Sequence, residues 1–183
     1  MNDFAYTIKK FHCALPIIKN WIDELLNKTE KEAIQVSSLN FPKIHQLFPR
    51  AFLENARVVI VPGDPPRPPL TNIGLYELAD FESRDLYGVT YKNTFFIRDG
   101  HQTESEHFHE LVHVAQWNRL GVDSFLLAYG IGVMQFNYRN SPLEQMAYSL
   151  QEKFDFNVRF PDVIDLINEQ TDVIWNQIKP YIQ

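Results

Sequence analysis

A chain of 183 residues with 45% apolar and 22% charged side chains lies near the average for globular proteins, which excludes disorder and a fibrous repeat and predicts one domain, 1–183. Seventeen Lys plus Arg against 23 Asp plus Glu give a net charge of −6 with no basic block. That excludes nucleic acid and acidic membrane surfaces as partners, because both are bound by neutralising phosphate. The single cysteine, Cys13, allows no internal disulfide and fits a reducing compartment.

The first 21 residues show no secretory pattern, so a cytoplasmic location is expected, although export without a cleaved signal would look the same. Leu15, Ile18, Ile22, Leu25 and Leu26 follow helical spacing, with Pro16 suited to a first turn. Thr29 and Glu32 have capping-box form and predict a second helix to about Ser38. Residues 41–53 read as one or two helical turns broken at Pro42 and Pro49, which completes a helical N-terminal part, 1–56. Residues 57–61, Arg-Val-Val-Ile-Val, read as a strand. The loop at 62–69 carries five prolines; it is either a brace for the preceding strand or a ligand for a proline-binding partner.

Residues 75–81 are ambiguous. Residues 88–97 read as strand, with Val89, Tyr91, Phe95 and Ile97 expected on one face, and Asp99-Gly100 closes it as a turn. The remainder reads helical. It includes the apolar run 125–134, which is too short to span a bilayer, and a final amphipathic helix within 158–183 with Val163, Leu166, Ile167, Val173, Ile174 and Ile178 as core. Helices, a few strands, then helices predict an α+β fold, mostly helical, with a small mixed or antiparallel sheet.

The chemistry is concentrated at His109-Glu110-Leu111-Val112-His113. On a helix, residues i and i+4 project two imidazoles from one face, close enough to share one Zn²⁺. Glu110 is offset by one residue, so it flanks the metal and can act as general base toward water. Thr103 and Glu106 form a capping box ahead of the motif, and Gly121 supplies a stop after it. His107 falls on the opposite side of that helix.

A catalytic zinc ordinarily takes three protein ligands. No histidine follows His113, so a downstream histidine ligand is excluded. Glu144, in Asn140-Ser141-Pro142-Leu143-Glu144, is the favoured third ligand. It also stands in a capping box with Ser141 and could turn back to a backbone N–H instead. Glu152 and Glu169 read as exposed or amphipathic positions. Glu106-x-x-His109 and Glu110-x-x-His113 share one helix, whereas a di-iron bundle needs such pairs on two.

At these residues the chain resembles the gluzincin class of zinc metallopeptidases, and His113-Val114-Ala115-Gln116 resembles the ending seen in minimal zincin domains. The likeness covers about residues 57–157. It implies a zincin-like core with the sheet preceding the zinc helix, His109, His113 and Glu144 as Zn²⁺ ligands, and Glu110 as the base of a peptidase acting on a peptide or protein substrate. The alternative is an inactive zincin-fold interaction or effector module. The chain departs from the class at Ala147 and Tyr148, where many members carry a supporting Asp, Ser or Thr. Tyr138 and Tyr148 are the candidate donors to a developing oxyanion, and either could equally be core.

Overall fold

The computed structural model describes residues 3–182. The chain opens with one long helix, α1 (Asp3–Thr29), so Pro16 lies in its interior and not in a first turn. Proline there removes the bond to the His12 carbonyl. His12 and Pro16 are both on the exposed side, where water can take that carbonyl. Leu15, Ile18 and Ile22 face inward.

The helix expected from Thr29 to Ser38 does not form. Thr29 Oγ1 donates back to the Leu25 carbonyl at 2.9 Å and so belongs to the end of α1. The chain then extends as β1 (Ile34–Gln35), which pairs antiparallel with β2 (Arg57–Val61). Sheet pairing across 20-odd residues overrides the local helix signal here. Between these strands, α2 (Pro42–Leu47) starts at Pro42, and α3 (Arg50–Asn55) follows Pro49 as its N-cap.

The proline loop is built into the body. Pro65 and Pro68 are buried, and the Tyr91 hydroxyl donates to the Pro66 carbonyl at 2.9 Å. The ambiguous stretch 75–81 resolves into a 3₁₀ turn and the short helix α4 (Ala79–Ser83).

Residues 88–97 are a hairpin and not one strand. β3 (Gly88–Tyr91) and β4 (Thr94–Arg98) pair antiparallel around Lys92-Asn93, with Lys92 at φ 58°. The register sets Val89 beside Phe96 and Thr90 beside Phe95, so Val89 and Tyr91 share a face with Phe96, while Phe95 and Ile97 lie on the other. The expected single face is therefore wrong. The two-residue turn inverts the alternation, and both faces of β4 are buried. β4 also pairs parallel with β2, giving a mixed sheet in the order β1-β2-β4-β3, with β3 at its edge.

Four helices follow: α5 (Glu104–Leu120), α6 (Val122–Phe136), α7 (Pro142–Asp155) and α8 (Val163–Ile178). The fold is α+β and mostly helical. One apolar cluster runs from Ile8 of α1 to Ile178 of α8. Within α8 the inward face includes Thr171, while Val173, expected in the core, is exposed. No helix among the described residues is long and apolar enough to cross a membrane.

Candidate metal centre

The α5 helix is set by its own ends. The Thr103 hydroxyl accepts from the Glu106 N–H at 3.1 Å, and Gly121, at φ 73°, stops the helix in a conformation that favours glycine. The 109–113 motif therefore stands well inside a rigid helix. His109 and His113 direct their Nε2 atoms to within 3.2 Å of each other. His107 points elsewhere, its Nδ1 on the Thr103 carbonyl and its ring packed against Phe41 and Phe95, as its helix phase predicted.

After α6 returns the chain, Ser141 caps α7 by backbone conformation alone, with no side-chain cap bond. The capping-box alternative for Glu144 is therefore not adopted. Its carboxylate turns inward instead, with Oε1 3.3 Å from His113 Nε2 and Oε2 3.5 Å from His109 Nε2. The three side chains form a buried group able to hold a metal ion.

Each histidine is oriented from behind. His113 Nδ1 lies 2.7 Å from Gln116 Oε1, and the Gln116 amide nitrogen donates to the Leu143 carbonyl at 3.1 Å. His109 Nδ1 lies 3.0 Å from Gln151 Oε1, and the Gln151 nitrogen donates to Ser105 Oγ at 3.1 Å. An amide oxygen only accepts, so both rings carry N–H at Nδ1 and turn Nε2 toward Glu144. The Tyr129 hydroxyl donates to Glu144 Oε1 at 2.6 Å, and Glu144 Oε2 has no hydrogen-bond partner among the described residues. These three residues supply the support that Ala147 and Tyr148 do not.

The three side chains converge closely enough to share one cation. Zinc bonds of about 2.0–2.1 Å at tetrahedral angles put ligand atoms about 3.3–3.4 Å apart. The two Nε2 atoms are 3.2 Å apart, and the carboxylate approaches them through different oxygens, Oε1 at 3.3 Å from His113 Nε2 and Oε2 at 3.5 Å from His109 Nε2, with one donor atom from each residue within 4.8 Å of the others. Two imidazoles and a carboxylate form a donor set that several divalent transition metals accept, zinc and iron among them.

Charge is strongly coupled in this space. Burial pushes His113 down, but the Glu144 carboxylate overrides it and lifts the imidazole to about 9. Burial pushes Glu144 up, yet the two imidazoles hold it well below the usual carboxylate range. Without metal, a proton on His113 therefore occupies the place a cation would take. Glu110 is pushed up by burial, against the opposing pull of His109, His113 and a bond from Thr90. The Thr90 hydroxyl donates to Glu110 Oε2 at 2.6 Å.

Glu110, His113 and Glu144 open onto a cavity of about 70 Å³ whose other walls are mainly apolar, including Phe11, Phe81, Val89 and Val133. Tyr138 also lines it and stacks on Phe81 at 5.9 Å. Tyr148 lies outside this cavity, its ring 4.6 Å from that of His109, and its hydroxyl is pushed up to about 12 by burial and the Glu144 charge.

Several site residues escaped the sequence reading. Gln116 was visible only as part of a motif ending. Gln151 sits seven residues after Glu144, two turns along the same face, a spacing that could have found it. Tyr129 lies inside the apolar run 125–134, and Thr90 and Gly88 lie in a strand; neither carried a local signal. No family model, curated protein or solved structure matches this chain.

Proposed function

We propose that the protein is a zinc-dependent, gluzincin-like metallopeptidase with a zincin-like core. The observation that carries the reading is the convergence of His109, His113 and Glu144 on one point, with Glu110 buried beside them on the same helix. Zinc bound there would supply Lewis acidity to a carbonyl and lower the pKa of water.

The chain's own residues would do the rest. Glu110 takes a proton from the attacking water and passes it to the departing amine, and the burial that raises its proton affinity suits both transfers. Gln116 and Gln151 fix the imidazoles, and Tyr129 holds Glu144 against rotation. Tyr138, facing the cavity, is the better placed of the two candidate oxyanion donors. An extended peptide substrate is supported by the position of β3, an edge strand whose Gly88 and Thr90 adjoin Glu110. The Trp117 indole N–H already occupies the Thr90 carbonyl, at 3.2 Å, so strand addition would use the rest of that edge.

One observation favours the second reading, an inactive zincin-fold module. His109, Glu110, His113 and Glu144 are each no more than 4% exposed, so the site is nearly closed. Elemental analysis and Glu110→Gln together separate the two. A peptidase holds about one zinc per chain, loses the metal in His113→Ala and Glu144→Ala, and in Glu110→Gln keeps the metal but loses turnover by about 10²- to 10⁴-fold. Zinc-loaded wild type that cleaves nothing would leave the module, and no zinc uptake at all would sink the peptidase and likewise leave the module.

A further inference from the structure

The Glu110 carboxylate is held at both oxygens by one strand. Oε2 accepts the Thr90 hydroxyl at 2.6 Å, and that hydroxyl also lies 3.2 Å from the Glu110 backbone carbonyl. Oε1 lies against the α-carbon of Gly88, so close that any Cβ there would overlap it. Gly88 and Thr90 are two residues apart on β3 and so share its face toward α5. The strand is fixed to the same helix a second time, where Trp117 Nε1 donates to the Thr90 carbonyl. Trp117 is seven residues after Glu110, two turns along the same helix face.

Nothing in the metal cluster requires this contact, since His109, His113 and Glu144 have their own supports. A glutamate has three rotatable bonds, and a free one would spread over many orientations. A base helps only when it is held within reach of the proton it takes.

Resting on the peptidase reading, we propose that Thr90 is a positioning residue for Glu110, its hydroxyl together with the bare α-carbon of Gly88 locking the general base beside the metal ligands. Thr90 touches neither metal nor substrate in this role. It acts through Glu110 alone, so its loss removes rate and not metal. Gly88 is the second half of the seat, and a methyl group there displaces the carboxylate directly.

The test compares Thr90→Val, which keeps the shape and deletes the hydroxyl, with Thr90→Ser, which restores it. Zinc content, hydrolysis of fluorescently labelled casein and the affinity for acetohydroxamate are measured on each zinc-loaded full chain. Acetohydroxamate needs the same carboxylate to accept its hydroxyl proton, so it reads the seat without turnover. Thr90→Val is expected to keep about one zinc per chain, to lose about 10- to 100-fold in kcat with KM within about twofold, and to bind acetohydroxamate about tenfold more weakly. Thr90→Ser is expected to recover most of both losses, and Gly88→Ala to behave like Thr90→Val. The proposal is overturned if Thr90→Val matches wild type in kcat and acetohydroxamate affinity, or if Thr90→Ser falls as far as Thr90→Val. Should wild type hold zinc yet cleave no casein, the peptidase reading fails by itself, and the acetohydroxamate comparison still decides for or against the Thr90 seat. Wild type that takes up no zinc overturns both.

Discussion

The α1 helix and the α5–α7 candidate metal centre are anchored by opposite means. α1 is held by apolar burial, with Phe11, Leu15, Ile18 and Ile22 inward, and a ring edge of Phe11 filling the space that the missing side chain of Gly130 leaves on α6. Its polar ties include Lys10–Glu77, Lys19–Asp123 and Lys92–Asp23, which are ion pairs at the surface. The candidate metal centre is held by buried and half-buried polar groups that each occupy another: Gln116 on His113, Gln151 on His109, Tyr129 on Glu144 and Thr90 on Glu110. Apolar burial is non-directional and sets stability, whereas hydrogen bonds in a low dielectric fix orientation. Damage to the first region should therefore appear in folding, and damage to the second in metal binding and rate.

The largest expected effect lies on the apolar side. Ile22 is fully buried, and Ile22→Ala should cost about 2–5 kcal/mol in urea unfolding while the folded fraction still binds about one zinc. A loss of zinc stoichiometry from folded Ile22→Ala protein would break the separation.

Gln116→Leu is the matching change on the polar side. It frees His113 Nδ1 from its acceptor, and chelator competition should show metal affinity lower by about 10- to 100-fold. An unchanged affinity would mean that the helix alone orients the ring.

Next comes pH. The Glu144 charge raises His113 to about 9, so below that value a proton competes with the cation for Nε2. Apparent metal affinity should therefore fall by about tenfold per unit as pH drops below about 9, and level off above it. Glu144 is held low and contributes nothing to that slope near neutrality. A flat profile between pH 6 and 8 in the same chelator assay would contradict the coupled pair.

Lys19→Ala should do least. The Lys19–Asp123 pair is 2.7 Å long, but 35% and 60% of the two side chains is exposed. Solvent screening limits its worth to about 0.2–1 kcal/mol, falling with added salt. A larger loss, read as a shift in the urea midpoint, would show that α1 depends on its ion pairs and not on its apolar face.

Where the sequence reading succeeded, the deciding interactions span only a few residues. The α5 helix follows from Thr103, Glu106 and Gly121 acting within a turn of its ends, and the facing imidazoles follow from four-residue spacing. α2, α3 and β2 were legible for the same reason, since Pro42, Pro49 and a β-branched run act locally. It failed where a distant partner decided. Thr29 to Ser38 carries a helix signal, yet β2 recruits Ile34 and Gln35 into the sheet. It also failed at one local turn: Lys92-Asn93, which carries neither glycine nor proline, folds the segment into a hairpin and moves Phe95 and Ile97 to the face opposite Val89 and Tyr91.

The motif at 109–113 and the candidacy of Glu144 were thus properties of the sequence alone, because helix geometry turns spacing directly into direction. Whether Glu144 capped its own helix or faced the histidines was decided only by tertiary structure, as were the supports from Tyr129, Gln151 and Thr90 and the closure of the site beneath α1. Those contacts join residues 15 to more than 40 positions apart. Spacing along the chain carries no direction over such distances, and packing of the helices and the sheet supplies it.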